Sequence, residues 1–172
     1  MGRFIARRCR YSLIGALCLI CAVHAAPSVA RPSPSPYPDI AGYDRDARLE
    51  KYAVTNKDGV WVTTPLGLRC AIEITGSFGC SGALHGVQSG VNEVAWFIGD
   101  PLPRLYRTDM PRFDSGLSQT ILSAGRYIEY RGSRCAVTHD SAIYCIHTAD
   151  PNSQIMVSAG ALVRGQTPGV VG

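Results

Sequence analysis

Gly67 to Cys80 reads GLRCAIEITGSFGC, and Gly132 to Cys145 reads GSRCAVTHDSAIYC. One pattern, Gly-x-Arg-Cys-Ala followed by Ile or Val and then a second Cys at the same distance, is written twice. In an exported chain such matched cysteines read as a disulfide framework, because a thiol held in a cystine is neither a nucleophile nor a metal ligand. Nine residues separate Cys70 from Cys80 and Cys135 from Cys145. That is room for two strands of about four residues and a tight turn. The turns fall at Thr75-Gly76-Ser77 and His139-Asp140-Ser141. Residues opposed at a non-hydrogen-bonded site of an antiparallel pair have Cα atoms ~4.5 Å apart, within cystine reach. The spacing therefore predicts Cys70–Cys80 and Cys135–Cys145. Pairings across the units would close longer loops and stabilise more, so spacing alone leaves them open. A duplicated unit predicts pseudo-twofold symmetry. Two unrelated hairpins are the alternative, since the match fades beyond about 14 residues.

Export is read from the first residues. Arg3, Arg7, Arg8 and Arg10 precede an apolar run from Ser12 to Val23, and Val23-His24-Ala25 supplies a cleavage site after Ala25. The run is shorter than the ~20 apolar residues a spanning helix needs, and no second candidate follows, so no transmembrane span is expected in the mature chain. Cys18 and Cys21 follow Leu17 and Ile20 rather than the small residue a lipoprotein signal places there, and Cys9 and Arg10 follow Arg7-Arg8 where a twin-arginine signal differs. The general secretory route fits best. The chain holds 17 Lys+Arg against 13 Asp+Glu, and with the four signal arginines removed the balance is 13 against 13. Neither nucleic acid nor anionic lipid has an electrostatic reason to bind.

Residues 1–25 are thus read as a signal peptide, 26–38 as a Pro/Ser-rich linker lying outside the fold, and 39–172 as one domain. Asp44 to Tyr52 suits either two helical turns or a surface crossing. From Gly59 onward, Val60–Thr64, Leu68–Ile74, Val91–Ile98, Arg126–Tyr130, Arg134–Thr138, Ala142–Thr148 and Ile155–Val157 are short runs rich in β-branched and aromatic residues. The expected fold is all-β, a small disulfide-stapled barrel or sandwich of short antiparallel strands.

The order of Trp61, Thr64-Pro65, a first cystine unit ending in Gly-Cys-x-Gly-x-Leu (Gly79 to Leu84), a proline-bearing middle, and a second cystine unit with a final strand resembles the small secreted proteins of unknown function common in mycobacteria. The resemblance spans roughly Val60 to Val163. It implies export to the cell envelope or medium, with no assigned activity and no catalytic residues.

A search for chemistry points the same way. The chain has no nucleophile elbow, zincin motif, phosphate loop or dinucleotide fingerprint. Cys145 with His147 makes a poor nucleophile pair, C-x9-C suits a cystine better than zinc, and Glu73 and Glu129 read as solvated strand residues rather than a glycosidase pair. No catalytic residue, metal site or cofactor is expected. Gly99 to Gln119 is long for a connection. Arg104, Tyr106, Arg107, Arg112 and Phe113 make it a candidate binding loop, because Tyr and Arg anchor interfaces. The alternative is a cover strapped over an open barrel end, with Leu102, Leu105 and Phe113 facing inward.

The expected function is a non-enzymatic extracytoplasmic binding or interaction module for an unidentified protein or an envelope or host ligand. A small secreted hydrolase acting on envelope or host polymers, with two of His85, His139, His147, Glu73 and Glu129 converging in a pocket, is the first alternative, and a structural envelope component is the second. Exported protein should begin at Ala26 by N-terminal sequencing and remain soluble without detergent. An acylated start at Cys18 or Cys21 would overturn the reading of the signal.

Overall fold

The computed structural model describes residues 35–165. The expectations for the signal peptide, for Cys18 and Cys21, for most of the linker and for the last seven residues of the domain fall outside that range.

The described chain forms two sheets of six strands, neither closed into a barrel, so the fold is sandwich-like and all-β. The strands are β1 (Asp44–Arg45), β2 (Val60–Thr63), β3 (Arg69–Ile72), β4 (Phe78–Ser81), β5 (Glu93–Trp96), β6 (Arg104–Tyr106), β7 (Thr120–Ile121), β8 (Arg126–Tyr130), β9 (Ser133–Val137), β10 (Ile143–His147), β11 (Asp150–Val157) and β12 (Leu162–Arg164). The first sheet runs β7-β2-β3-β4-β5-β6 and the second β1-β8-β9-β10-β11-β12. Neighbours are antiparallel except at the two-residue edge strands, where β7 lies parallel to β2 and β1 parallel to β8. Both sheets are therefore mixed.

The cystines set the register. Cys70 pairs directly with Cys80 and Cys135 with Cys145, each with Cα atoms 4.1 Å apart. Alternation then sends the neighbours two residues away to the same face. In the first sheet Val62, Cys70, Cys80 and Val94 form one inward row, and Val60, Ile72, Phe78 and Trp96 the next. In the second, Ile128, Cys135, Cys145 and Ile155 lie in one row and Val137, Ile143 and Val157 in the next. All are buried, and together they are the core between the sheets.

The rows align residue for residue. Val62 opposite Cys70 corresponds to Ile128 opposite Cys135, Cys80 opposite Val94 to Cys145 opposite Ile155, and Phe78 opposite Trp96 to Ile143 opposite Val157. The likeness the sequence shows over one hairpin thus extends over the strand order of two whole halves.

The hairpin turns match as well. Glu73 N–H donates to Ser77 O (2.8 Å) and Thr138 N–H to Ala142 O (2.8 Å). The loops are therefore residues 74–76 and 139–141, the first lying one position earlier than the sequence suggested. The third residue of each takes a left-handed backbone, Gly76 at φ +91° and Ser141 at φ +71°. This is the arrangement a three-residue hairpin loop requires. Gly76 also docks the first hairpin on the second sheet: the Ser133 hydroxyl donates to its carbonyl (2.6 Å), and a Cβ on Gly76 would sit 2.7 Å from the Arg131 carbonyl oxygen.

Two segments cross the outer faces, and each ends as an edge strand. Residues 107–119 lead into β7. There Phe113 is fully buried over Ala71, Ala95 and Trp61, so close to Gly79 that any side chain there would overlap its ring. Residues 35–43 lead into β1. There Tyr37 packs on Tyr144, ring centroids 5.5 Å apart, and its hydroxyl donates to the Gly165 carbonyl. An Asp-based turn follows each aromatic residue: Ala41 N–H donates to Asp39 Oδ1 and Gly116 N–H to Asp114 Oδ1, both at 2.9 Å. The end of the proline-serine segment is thus part of the fold. Asp44 to Tyr52 forms β1 and a 3-10 turn at Leu49–Tyr52, joined by the buried Asp46. Burial alone would raise the Asp46 pKa, but the Lys51 ammonium, the Tyr52 hydroxyl and the Arg48 N–H outweigh it and hold the carboxylate below its usual range.

Ser141 occupies a left-handed position that its counterpart fills with glycine. Ser141→Gly should raise stability by ~0.5–1 kcal/mol in urea denaturation, the relief of backbone strain exceeding the added unfolded-state entropy. Gly76→Ala should lower it by more than about 1 kcal/mol, because the new Cβ meets backbone.

Candidate functional site

The long connection is tied down from within. Glu93 is fully buried, and its carboxylate accepts from the Ser81 hydroxyl, the Tyr106 hydroxyl and the Arg112 backbone N–H (2.7 Å). Phe113 N–H donates to Ser81 Oγ at 3.3 Å. A buried carboxylate is tolerated only when donors surround it, and here two of the three donors, Tyr106 and Arg112, come from the loop. Burial raises the Tyr106 pKa, and the hydrogen bond to Glu93 raises it further, so the phenol stays a donor.

The Arg112 guanidinium makes two bonds to the Glu73 carboxylate, 2.6 and 2.8 Å, and lies 4.9 Å from the centroid of the Phe97 ring. Arg104 pairs with Asp100 and sits 5.7 Å from the same ring. Among the five candidate loop residues, Phe113 is buried, Tyr106 is half-buried on Glu93, Arg112 and Arg104 are exposed but paired with Glu73 and Asp100, and Arg107 is exposed. The loop covers the outer face of the first sheet. Leu105 faces the core, whereas Leu102 is 47% exposed.

The second sheet carries an open cleft of about 500 Å³ on its outer side. Pro36, Tyr37, Pro38 and Tyr43 form one wall, and Thr138, His139, Asp140 and Ala142 from the second hairpin form the other. Met156 and Ser158 of the β11 segment make up the floor. Tyr43 packs on His139 with ring centroids 5.4 Å apart, and the Thr138 hydroxyl donates to Asp140 Oδ1. Burial pushes the Tyr37 phenol up to about 12, helped by Tyr144, and burial raises Tyr144 to about 12 as well, so both stay neutral at ordinary pH. Apolar and aromatic walls with a few polar groups are what small-ligand and side-chain pockets share.

The titratable residues named for a hydrolase do not meet there. His139 alone lines the cleft. Glu73 is held by Arg112, Glu129 by Arg134 (2.7 Å), and His85 is exposed. His147 lies 3.0 Å from Ser133 Oγ and stacks on Trp96 at 5.2 Å. The Ser133 proton is given to the Gly76 carbonyl, so His147 Nδ1 serves as donor and has no serine proton to take. Among the described residues no group of three or more His, Cys, Asp or Glu is placed to hold a metal ion.

Comparison with protein-family models, curated proteins and solved structures finds no match. Apart from His139, the cleft residues were missed by sequence reasoning, which set the linker outside the fold. One signal was available: an aromatic residue followed within two positions by Asp in both Tyr37-Pro38-Asp39 and Phe113-Asp114.

Phe113→Ala should cost roughly 3–5 kcal/mol of stability in urea denaturation, since it empties a fully buried position over small neighbours. Arg107→Ala, at an exposed side chain, should change it by less than about 0.5 kcal/mol.

Proposed function

We propose that the protein is a non-enzymatic binding module that works outside the cytoplasm, and that the cleft on its second sheet is where it binds. The observation that carries this reading is the contrast between the outer faces. One is filled by Phe113 and closed by the Arg112–Glu73 pair, and the other is left open beneath aromatic and proline side chains. Scattered histidines and carboxylates, each with a structural partner or exposed, favour binding over hydrolysis. Two cystines, a charged start with an apolar run, and the resemblance to small secreted mycobacterial proteins support an extracytoplasmic place of work. No helix among the described residues is long and apolar enough to cross a membrane.

Ser158→Phe places in the cleft the side chain that Phe97 supplies in the first half. Capture of partners from culture filtrate or host extract by immobilised protein should be lost in Ser158→Phe and retained in an Arg104→Ala, Arg107→Ala double variant, with both variants folded at the capture temperature. Capture that survives Ser158→Phe and fails in the double variant would move the function to the loop.

A further inference from the structure

The duplication supplies a template for what the cleft takes, and the inference rests on the cleft being a binding site. Aligned by strand register and hairpin hydrogen bonds, Glu73 corresponds to Thr138, Ser77 to Ala142 and Phe97 to Ser158. Phe113 corresponds to Tyr37, each packed on the same position of its sheet and each followed by an Asp turn, so Arg112 corresponds to Pro36. Thr138, Ala142, Ser158 and Pro36 all line the cleft. The cleft is therefore the place that the Arg112 side chain and the Phe97 ring fill in the first half.

The recognition chemistry survives while the cation is gone. Glu73 holds Arg112 by two hydrogen bonds, and Phe97 offers its ring at 4.9 Å. In the cleft Thr138 and Ser158 stand at the Glu73 and Phe97 positions, but a carboxylate lies two residues on, at Asp140, and aromatic rings come from Tyr37 and Tyr43, while no Lys or Arg lines the walls. We propose that the cleft receives an arginine side chain from a partner polypeptide, its guanidinium on Asp140 and against a tyrosine face. Arginine suits the site better than lysine, because a planar guanidinium bonds a carboxylate in a fork and stacks on rings. A volume of about 500 Å³ leaves room for a residue flanking the arginine, as Phe97 and Arg112 together fill the first half.

The probe is a capped peptide copying residues 110–114, Met-Pro-Arg-Phe-Asp, titrated into the full-length oxidised protein and followed by amide chemical shifts and calorimetry. Shifts should concentrate at Thr138, Asp140, Met156 and Ser158. Replacing the peptide arginine by citrulline, or the protein's Asp140 by Asn, should weaken binding at least about tenfold, the scale of a charge-assisted bidentate contact. Ser158→Phe should abolish it.

Equal binding of the citrulline peptide, or an unaffected Asp140→Asn protein, would overturn the arginine assignment while leaving a binding cleft in place. Free L-arginine binding as tightly as the peptide would overturn the polypeptide source. No shift in the cleft with either probe would overturn the proposal, and partner capture lost in Ser158→Phe would still uphold the binding module.

Discussion

Each cystine spans a directly opposed pair on neighbouring strands, and that contact determines which face of the strands points inward. A strand has a side-chain period of two, so a slip of one residue would turn every inward side chain to the outside. With Cys70 bonded to Cys80, Val62, Val94, Ile72 and Phe78 have no choice of side, and the same holds for Ile128, Ile155, Val137 and Ile143 around Cys135–Cys145. The apolar rows that meet between the sheets follow from this, as do the outer rows that must find another cover.

That cover is asymmetric. On the first sheet Ala71, Gly79 and Ala95 line up across three strands as a shallow trough, and Phe113 fits because none of them has a large side chain. On the second sheet the matching positions are Ala136, Tyr144 and Met156, which already fill the trough. Tyr37 packs on Tyr144 there, and the neighbouring space is unfilled. Identical strand order with different side-chain volumes is enough to make one outer face a second core and the other a cleft.

Strands with β-branched residues and the two cystine pairings could be read from the sequence, because both depend on local spacing. The edge strands could not. Asp44-Arg45 and Thr120-Ile121 are two residues long, too short for a period, and each is a strand only because a distant one lies beside it. The role of Gly99 to Gln119 was left between two readings, since Arg and Tyr look alike in sequence whether they face a partner or the chain's own Glu73 and Glu93. The cleft was hidden for another reason. It is made by what Thr138, Ser158 and Pro36 lack, and a lack is visible only once the halves are superposed in register, beyond the stretch where their sequences agree.

The pairing of β1 with β8 has a consequence for how the chain assembles. Each cystine joins residues 10 apart, so its hairpin can close without waiting for the rest of the chain. The crossing segments obey another clock. The one ending in Asp44-Arg45 pairs with Arg126-Tyr127, far along the chain, and cannot dock until the second half exists. Such long-range pairings carry the loop-closure cost that slows folding. The topology thus separates two kinds of contact: cross-linked hairpins that close locally, and an N-terminal strap, one wall of the cleft, whose place exists only once the second sheet does.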